Sequence, residues 1–439
     1  MKNFTNLQKS TLLLAAGLLT IALTGCAILN STLPDPVKAQ MLESNKPREE
    51  IGNIPAVDLL KLAEGNTAFA LDLYQRLQSN SGNLFYSPYS ISAALAMTYA
   101  GAEGITAEEM AAVLNFLLTQ EKLHPAFNAL DQKLAGLADL EIPKNQGDPF
   151  QINIANAIWG QKDFQFEEHF LDILAENYGA GLRLLDFISQ PEDSRATINQ
   201  WVSDETKEKI QDLIPEGSIT IDTRMVLSNA IYFKATWMEQ FNKDLTAEGI
   251  FYGLNGEEFP SQMMKTGGDV FFRYMKGEGY QAVEMPYIGN QASMLVIVPD
   301  NGNFEEFEDQ LTIEALNKIL NGLDYSPVAL TFPKFEFETE ISLAQILAEM
   351  GMFTVFSDKA DFSGMTGSKN LFISDVFHKA FVSVDEEGTE AAAATAVMMK
   401  ASAMPESPIE LTIDRPFLFL IRAQETDTIL FFGRVVSPE

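Results

Sequence analysis

The sequence predicts an α+β fold in one large domain, on the basis of three observations. Apolar residues recur at helical spacing mainly in the first half of the chain, whereas strand-like apolar runs dominate the second half. The two kinds of segment do not alternate regularly, which argues against a doubly wound parallel sheet. After residue 53 no stretch is rich enough in linker residues to separate two domains, so residues 53–439 are predicted to fold together.

The N-terminus has the layout of an export signal. Lys2 and Lys9 precede an apolar run over residues 12–23, which is too short to span a membrane comfortably. The run leads into Leu-Thr-Gly-Cys26, which resembles the bacterial lipobox, a motif whose cysteine is acylated and becomes the first mature residue. We expect a signal peptide over residues 1–25 and a lipid on Cys26; the alternative is an ordinary signal peptide with a chance cysteine.

The segment after the signal peptide is predicted to be a flexible linker. Residues 26–52 are polar, contain several prolines and show no periodicity. The expected location is therefore a bacterial cell envelope, where the exported domain is tethered to the membrane, with secretion into the extracellular space as the alternative.

Helices are predicted where apolar residues recur every three to four positions. The pattern is clear over residues 56–77, and a second helix opens at Ser87-Pro88 and stops at Gly101, because serine caps a helix and proline suits its first position. Further helical stretches cover 106–116, 121–139, 167–178 and 192–209.

Strands are predicted in short apolar runs rich in β-branched and aromatic residues. The first is a short buried strand over 83–86. The others cover 150–159, 182–187, 225–233, 294–298, 328–337, 371–384, 417–421 and 429–436.

Charge and cysteine content exclude several classes of function. Thirty basic residues face 61 acidic ones, a formal net charge of −31, so the surface would repel nucleic acids and other polyanions. The single cysteine is Cys26, so no disulfide can form within the chain.

No enzyme motif is apparent either. His124, His169 and His378 are the only histidines, and no Gly-x-Ser-x-Gly elbow, HExxH motif or phosphate-binding glycine loop is present. We therefore expect a protein that is not an enzyme and needs no metal or cofactor.

Four sequence blocks resemble the serpin family, in the order that the family has them. They are NLFYSPYSISAALAMTYAGA over 83–102, the stretch from NQWVSDETKEK to YFKATW over 199–237, HKAFVSVDEEGTEAAAAT over 378–395, and RPFLFLIRAQETDTILFFGRVVSP over 415–438. The resemblance covers the chain from about residue 57 to the end. It implies three β-sheets, eight or nine helices and an exposed reactive loop near 387–409.

The resemblance also implies a mechanism and a partner. Inhibitory serpins present the loop as bait to a serine protease, or sometimes a cysteine protease, which attacks it and becomes attached as an acyl-enzyme. The cut loop then inserts into the main sheet and carries the protease to the far end, where its active site is distorted. We expect a monomer that acts in this way; the rival interpretation is a binding or storage protein with the serpin fold and no trapping activity.

The hinge of the loop is suited to entering a sheet as a strand. Alternate side chains of an inserted strand face the core, so one parity must lack charge and bulk. From Thr389 to Ala401 that parity holds only threonine, alanine, valine and methionine, and the only charges nearby, Glu390 and Lys400, have the other parity. Gly388 permits unusual backbone angles and suits a pivot. Helix propensity alone instead favours a surface helix here. The predicted hinge consists of Glu387, Gly388, Thr389, Glu390, Ala391, Ala392, Ala393, Ala394 and Thr395.

Counting from Gly388, as the family does, places the scissile bond between Ser402 and Ala403. Because loop length varies among serpins, the bond is assigned to a window that also contains Met399, Lys400, Ala401 and Met404. The small residues suit elastase-like or subtilisin-like proteases, and Pro405 hinders attack after Met404.

The resemblance also marks residues where the main sheet must open. Ser87 and Ser90 match serines beneath the opening, and Asn229 and His378 match its flanking strands. Trp237 matches a tryptophan at the top of the same opening. We expect the two serines, with Asn229 and His378, to form a hydrogen-bond network that holds the sheet closed and can form again after insertion.

Overall fold

The computed structural model describes residues 37–52, 54–137, 150–267, 270–389 and 407–438. Ten helices lie in these ranges, one more than the upper number expected, because the shortest are single turns in which a helical period cannot appear. They are α1 (Ala56–Leu77), α2 (Pro88–Tyr99), α3 (Gly104–Val113), α4 (Gln120–Gly136), α5 (Glu168–Tyr178), α6 (Pro191–Glu205), α7 (Phe304–Asp309), α8 (Ile313–Gly322), α9 (Ala344–Met350) and α10 (Ser363–Thr366).

The main sheet has seven strands in the described part of the chain. From one edge to the other they are β1 (Gln40–Leu42), β4 (Leu182–Leu185), β3 (Gln151–Gln161), β5 (Met225–Thr236), β14 (Gly388–Thr389), β13 (Asp375–Val384) and β12 (Phe335–Ser342). The two-residue strand β14 lies between β5 and β13 at one end only. Farther along, β5 and β13 pair directly with each other.

The remaining strands of the described residues form one continuous sheet of ten strands. Its order is β2 (Leu84–Tyr86), β17 (Ile429–Val435), β16 (Phe417–Ala423), β10 (Ala292–Pro299), β9 (Tyr280–Pro286), β8 (Val270–Lys276), β11 (Asp324–Pro333), β7 (Glu258–Lys265) and β6 (Ala247–Tyr252), and β15 (Ile409–Thr412) pairs with β11. Three sheets were expected. Two appear because β11 bonds to β8 along its first half and to β7 at its end, which joins the two smaller sheets.

The main sheet is covered on both faces, so its central strand is buried almost throughout. Alternate residues of β5 enter different cores: Leu227, Ile231 and Phe233 belong to the large cluster that includes α1 and α2, whereas Val226 and Ala230 belong to a smaller cluster with α6. Side chains of an inserted strand would divide between the same two faces.

The prediction of a flexible linker over residues 26–52 is wrong for residues 37–52. Strand β1 pairs antiparallel with β4, which would otherwise be the edge of the main sheet, from Gln40 opposite Leu184 to Leu42 opposite Leu182. An edge strand offers unpaired backbone groups, and this segment supplies partners for them. Residues 1–36, with the predicted signal peptide and Cys26, lie outside the described residues.

Ion pairs fix the rest of this segment to the domain. Lys46 contacts Asp172 at 3.0 Å and Glu176 at 2.9 Å on α5, and Arg48 contacts Asp131 at 2.7 Å on α4. A polar composition without periodicity conceals such docking, because the contacts are made by single cations rather than by an apolar face. In the described ranges, no helix has both the length and the apolar character that crossing a bilayer requires.

Candidate functional site

The candidate site begins where β5 and β13 run side by side. We call the parallel pairing from Val226 opposite Asp375 to Tyr232 opposite Phe381 the seam. Beyond it, toward the C-terminal ends of both strands, β14 takes the place between them. Gly388 there pairs with Thr236, and Thr389 pairs with Ala235.

A tight turn delivers β14 into this place. Strand β13 ends at Val384, which pairs with Thr389, so residues 385–388 reverse the chain. The Asp385 amide donates to the Gly388 carbonyl at 2.9 Å, and the Asp385 carboxylate accepts from the Glu387 and Gly388 amides at 2.8 and 3.1 Å. Burial raises the pKa of Asp385 despite these two bonds.

Gly388 is needed here for space rather than for an unusual backbone angle. A Cβ atom at this position would lie 2.1 Å from the Ala235 carbonyl oxygen and 2.8 Å from the Thr236 Cα, both fixed backbone atoms of β5. Its φ is not positive, so the pivot argument drawn from the sequence does not describe this conformation. The glycine allows β14 to lie directly against β5.

Trp237 closes the end of β5 over this turn. Its amide donates to the Glu387 carbonyl at 2.9 Å and its indole Nε1 to the Asp385 carbonyl at 3.0 Å. The indole ring stacks on Tyr287, with 4.5 Å between ring centroids and 10° between planes. Tyr287 was not predicted from the sequence; its phenol oxygen lies 2.8 Å from the Thr389 hydroxyl.

Two lysines pair with the acidic residues of the turn. Lys334 contacts Glu386 at 2.8 Å, and the Thr246 hydroxyl donates to the same carboxylate at 2.8 Å. Burial pushes the pKa of Glu386 upward, but these hydrogen bonds outweigh it and the pKa is lowered. Lys243 pairs with Glu387, which is nearly buried and raises the lysine's pKa through their hydrogen bond. The turn is therefore held electrostatically as well as by its backbone.

Beneath the seam lies a hydrogen-bond network. The Asn229 amide nitrogen donates to the Ser90 hydroxyl at 2.7 Å, and the Ser87 hydroxyl donates to the Leu430 carbonyl at 2.6 Å. His378 bonds through Nδ1 to the Asn229 side-chain oxygen, and its Nε2 accepts from the Ser87 amide at 3.3 Å. The network thus connects both strands of the seam to the first turn of α2.

The histidine in this network is neutral. Burial lowers the pKa of His378 to about 3, because a charged ring would lose its hydration inside the core. An amide oxygen accepts but does not donate, so Nδ1 carries the proton and Nε2 is free to accept from Ser87. One tautomer therefore satisfies both contacts.

On its other face the seam lies under the segment that follows α6, residues 206–214, which we call the cover segment. Lys379 of β13 donates to the Gln211 carbonyl at 3.1 Å. The Lys209 ammonium lies 5.8 Å from the Tyr232 ring and 5.9 Å from the Phe381 ring, which belong to the two opposite strands of the seam. An added strand would separate those rings, so the cover segment must shift if the seam opens.

The cover segment also contains strained backbone. Lys207, Glu208 and Asp212 have φ values of 53°, 63° and 49°. Left-handed angles are costly for residues with a Cβ atom. Three of the seven non-glycine residues with positive φ in the described part of the chain lie in the cover segment.

Comparison with known proteins identifies the family. The family model described as serpin (serine protease inhibitor) matches residues 64–438. The chain belongs to the serpin family. Serpins are protease inhibitors and generally lack catalytic activity.

Relatives of this serpin come from distant organisms. A leukocyte elastase inhibitor of Xenopus laevis is 40% identical, covering 86% of this chain and 99% of its own. An uncharacterized serpin-like protein of Thermococcus kodakarensis is 36% identical over 98% of this chain and its whole length.

Solved structures confirm the α+β serpin fold. Native tengpin, a thermophilic serpin, is similar with a TM-score of 0.78 at 29% identity, covering 91% of this chain and all of tengpin. Uncleaved ovalbumin is similar with a TM-score of 0.75 at 28% identity, covering 86% of this chain and all of its own.

The structure brings together four of the five residues expected at the sheet opening of this serpin. Ser87, Ser90, Asn229 and His378 share the network, whereas Trp237 lies at the hinge end of the sheet. Asn156 was missed: it lies opposite Asn229 in the β3–β5 ladder and donates to the Ser90 carbonyl at 3.1 Å. The signal that could have found it is an asparagine between two alanines in a predicted strand, a polar side chain that needs a partner if it is buried.

Only the start of the reactive loop is described. Glu387, Gly388 and Thr389 occupy the turn and β14 as above. The rest of the predicted hinge, Glu390, Ala391, Ala392, Ala393, Ala394 and Thr395, lies outside the described residues, as do Met399, Lys400, Ala401, Ser402, Ala403 and Met404. Beyond the loop, β15 pairs in parallel with β11, beginning with Ile409 opposite Val328.

Proposed function

We propose that this serpin is a suicide-type inhibitor of serine proteases, which traps the acyl-enzyme by inserting its cut loop between β5 and β13. The observation that carries the proposal is β14. The first two residues of the expected insertion, Gly388 and Thr389, already form a strand in the gap, antiparallel to β5.

A continuation of this register into the loop would agree with the parity of the hinge. Each step along the loop moves one residue back along β5, so residue 391 would lie opposite Phe233 and residue 395 opposite Asn229. Phe233 and Ala235 belong to the large core cluster, so the inward parity contains Thr389, Ala391, Ala393 and Thr395. These small uncharged side chains fit that face. Glu390 would lie opposite Lys234 on the other face of the sheet, the face that carries the cover segment, where opposite charges attract.

Insertion would also replace one hydrogen bond by another. A strand entering the seam must separate His378 from Asn229, and a continuation of the β14 register would bring Thr395 opposite Asn229. A threonine there supplies a donor and an acceptor, so the amide and the imidazole need not be left unsatisfied.

The proposed chemistry belongs to the protease. Its serine oxygen attacks the carbonyl carbon of Ser402, the bond to the Ala403 nitrogen breaks, and that amine leaves with the proton of the serine hydroxyl. The serpin then carries the protease as an ester. Water hydrolyses this ester and frees an active protease unless insertion comes first.

We further propose elastase-like or subtilisin-like proteases as the targets. The residues around the proposed bond, Ala401, Ser402 and Ala403, are small and fit shallow pockets. The similarity to leukocyte elastase inhibitors of Xenopus laevis, at 40%, and Bos taurus, at 39%, supports the same class.

The test is incubation of the purified protein with pancreatic elastase. Trapping predicts a complex that survives denaturing electrophoresis, together with a released C-terminal peptide that begins at Ala403. A peptide that begins at Ala401, from a cut after Lys400, would refute the assigned bond. Cleavage without any stable complex would favour the rival function, a non-inhibitory binding or storage serpin.

We also propose that the protein is exported in a bacterium and anchored to the cell envelope through a lipid on Cys26, with secretion as the alternative. The layout of the first 26 residues supports this. Labelling of the expressed protein with radioactive palmitate tests it: the wild type should incorporate label and Cys26→Ser should not. A label in neither protein would leave secretion as the remaining interpretation.

A further inference from the structure

We propose that Tyr287 is a positioning residue for loop insertion. It holds Thr389 inside the main sheet before the bait is cut, and this contact decides how the acyl-enzyme divides between trapping and release. The inference rests on the proposed inhibitory function. We call Tyr287 together with Thr389 the hinge contact.

Tyr287 is fixed by both sheets. It follows β9, and its backbone forms a bridge with Trp237, just beyond the end of β5. On either side, the Met238 amide donates to the Pro286 carbonyl at 2.9 Å and the Ile288 amide donates to the Thr236 carbonyl at 2.8 Å. The phenol ring is also stacked on Trp237, so its hydroxyl has little freedom to move.

The hydroxyl of Tyr287 meets the hinge where water is excluded. Its oxygen lies 2.8 Å from the Thr389 hydroxyl, and Thr389 is fully buried while Tyr287 is 1% exposed. Burial raises the pKa of Tyr287, which keeps the phenol protonated and able to donate. Withdrawal of Thr389 from the sheet would leave a buried phenol without this partner, which is unfavourable.

The hinge contact matters because insertion competes with hydrolysis. Ordering backbone costs conformational entropy, and here two loop residues are ordered before the protease arrives. After cleavage, the strand has only to extend from Thr389 toward the seam. Without the contact the hinge must first re-enter the gap, and during that delay water hydrolyses more of the ester.

The bait itself lies at least ten residues beyond the hinge contact, so loss of the contact should leave acylation unchanged. This separates two measurable quantities. The second-order rate of acylation reports access to the bait, and the number of serpin molecules consumed per trapped protease reports the competition.

The experiment uses Tyr287→Phe, Thr389→Val and the double variant of the full chain, with pancreatic elastase as the probe. Tyr287→Phe keeps the ring stack, and Thr389→Val keeps the branched shape. We expect acylation rates within about twofold of the wild type. The number of serpin molecules cleaved without trapping, per protease molecule trapped, should rise about fivefold in each single variant. This factor corresponds to the free energy of one net hydrogen bond. The double variant should be no worse than either single variant, because both lose the same contact.

Tyr86→Phe is the matched control. It also loses a buried hydroxyl, one that donates to the Ala70 carbonyl at 2.6 Å, but far along the chain from the hinge. We expect it to lower the melting temperature without changing the stoichiometry. An equal rise in stoichiometry in Tyr86→Phe, or no rise in Tyr287→Phe and Thr389→Val, would overturn the inference while leaving the proposed function intact. If the wild type traps no protease, the proposed function and the inference about Tyr287 are both refuted.

Discussion

Placing a charge on the inward parity of the loop should convert the inhibitor into a substrate. The variant is Ala391→Arg, and the control is Glu390→Arg, the same side chain one position earlier. In the register set by β14, residue 391 would lie opposite Phe233 and residue 390 opposite Lys234. The two arginines would therefore face opposite sides of the inserted strand.

The expected magnitude follows from the surroundings of each position. Phe233 and Ala235 are each 1% exposed, and neither Val382 nor Val384 across the gap is more than 1% exposed, so a guanidinium there finds no water. An unpaired buried charge costs several kcal/mol, and a cost of about 3 kcal/mol felt during insertion slows it by about a hundredfold. Lys234 is only partly buried, so an arginine at 390 can reach solvent.

The assay is the yield of elastase complex on denaturing gels, together with the rate of loop cleavage. Ala391→Arg should be cleaved as fast as the wild type, yet leave almost all of the protease active. Glu390→Arg should retain most of the complex. Equal complex formation by Ala391→Arg and the wild type would show that the register of β14 does not continue into the loop.

Three further predictions concern the pH dependence, the docked N-terminal segment and the cover segment. Because the pKa of His378 is depressed to about 3, the unfolded chain binds a proton that the folded chain does not. The free energy of unfolding should therefore fall as the pH drops from about 6.5 toward 3, by up to about 1.4 kcal/mol per pH unit. Urea unfolding at several pH values should show a weaker pH dependence of this free energy for His378→Gln than for the wild type, and an equal pH dependence would contradict this. Gly181→Ala would place a Cβ atom 2.7 Å from the Leu42 carbonyl, so residues 37–45 should become sensitive to limited proteolysis; unchanged resistance would mean that the pairing of β1 is not what protects them. Lys207→Gly and Glu208→Gly should each raise the free energy of unfolding by about 0.5 kcal/mol, because the relief of a left-handed backbone angle exceeds the entropy that glycine loses on folding. A decrease measured by chemical denaturation would show that the backbone there is unstrained.

Much of the architecture could be predicted because periodicity and residue order carry it. Strand β5 is mostly apolar and buried at all but one position, and the helix predicted over residues 56–77 is α1 to the residue. The docked segment could not be predicted, since Lys46 and Arg48 act as single charges whose partners lie more than 80 residues away along the chain.

The site was predicted only in part for a related reason. Ser87, Asn229 and His378 stand in recognisable blocks, so the resemblance located them. Tyr287 and Asn156 depend on register between distant strands, and their roles appear only when the ladder places them opposite Trp237 and Asn229. The reason for Gly388 was likewise hidden, because a close approach of two backbones leaves no trace in composition.

Thermal unfolding of the molecule before and after a single cut in the loop is the most direct measurement. If the released segment becomes a central strand, the cut protein should melt at a higher temperature than the uncut one, and amides of residues 390–398 should become protected from hydrogen exchange. A cut protein that melts at the same or a lower temperature, with those amides still exchanging freely, would contradict the account.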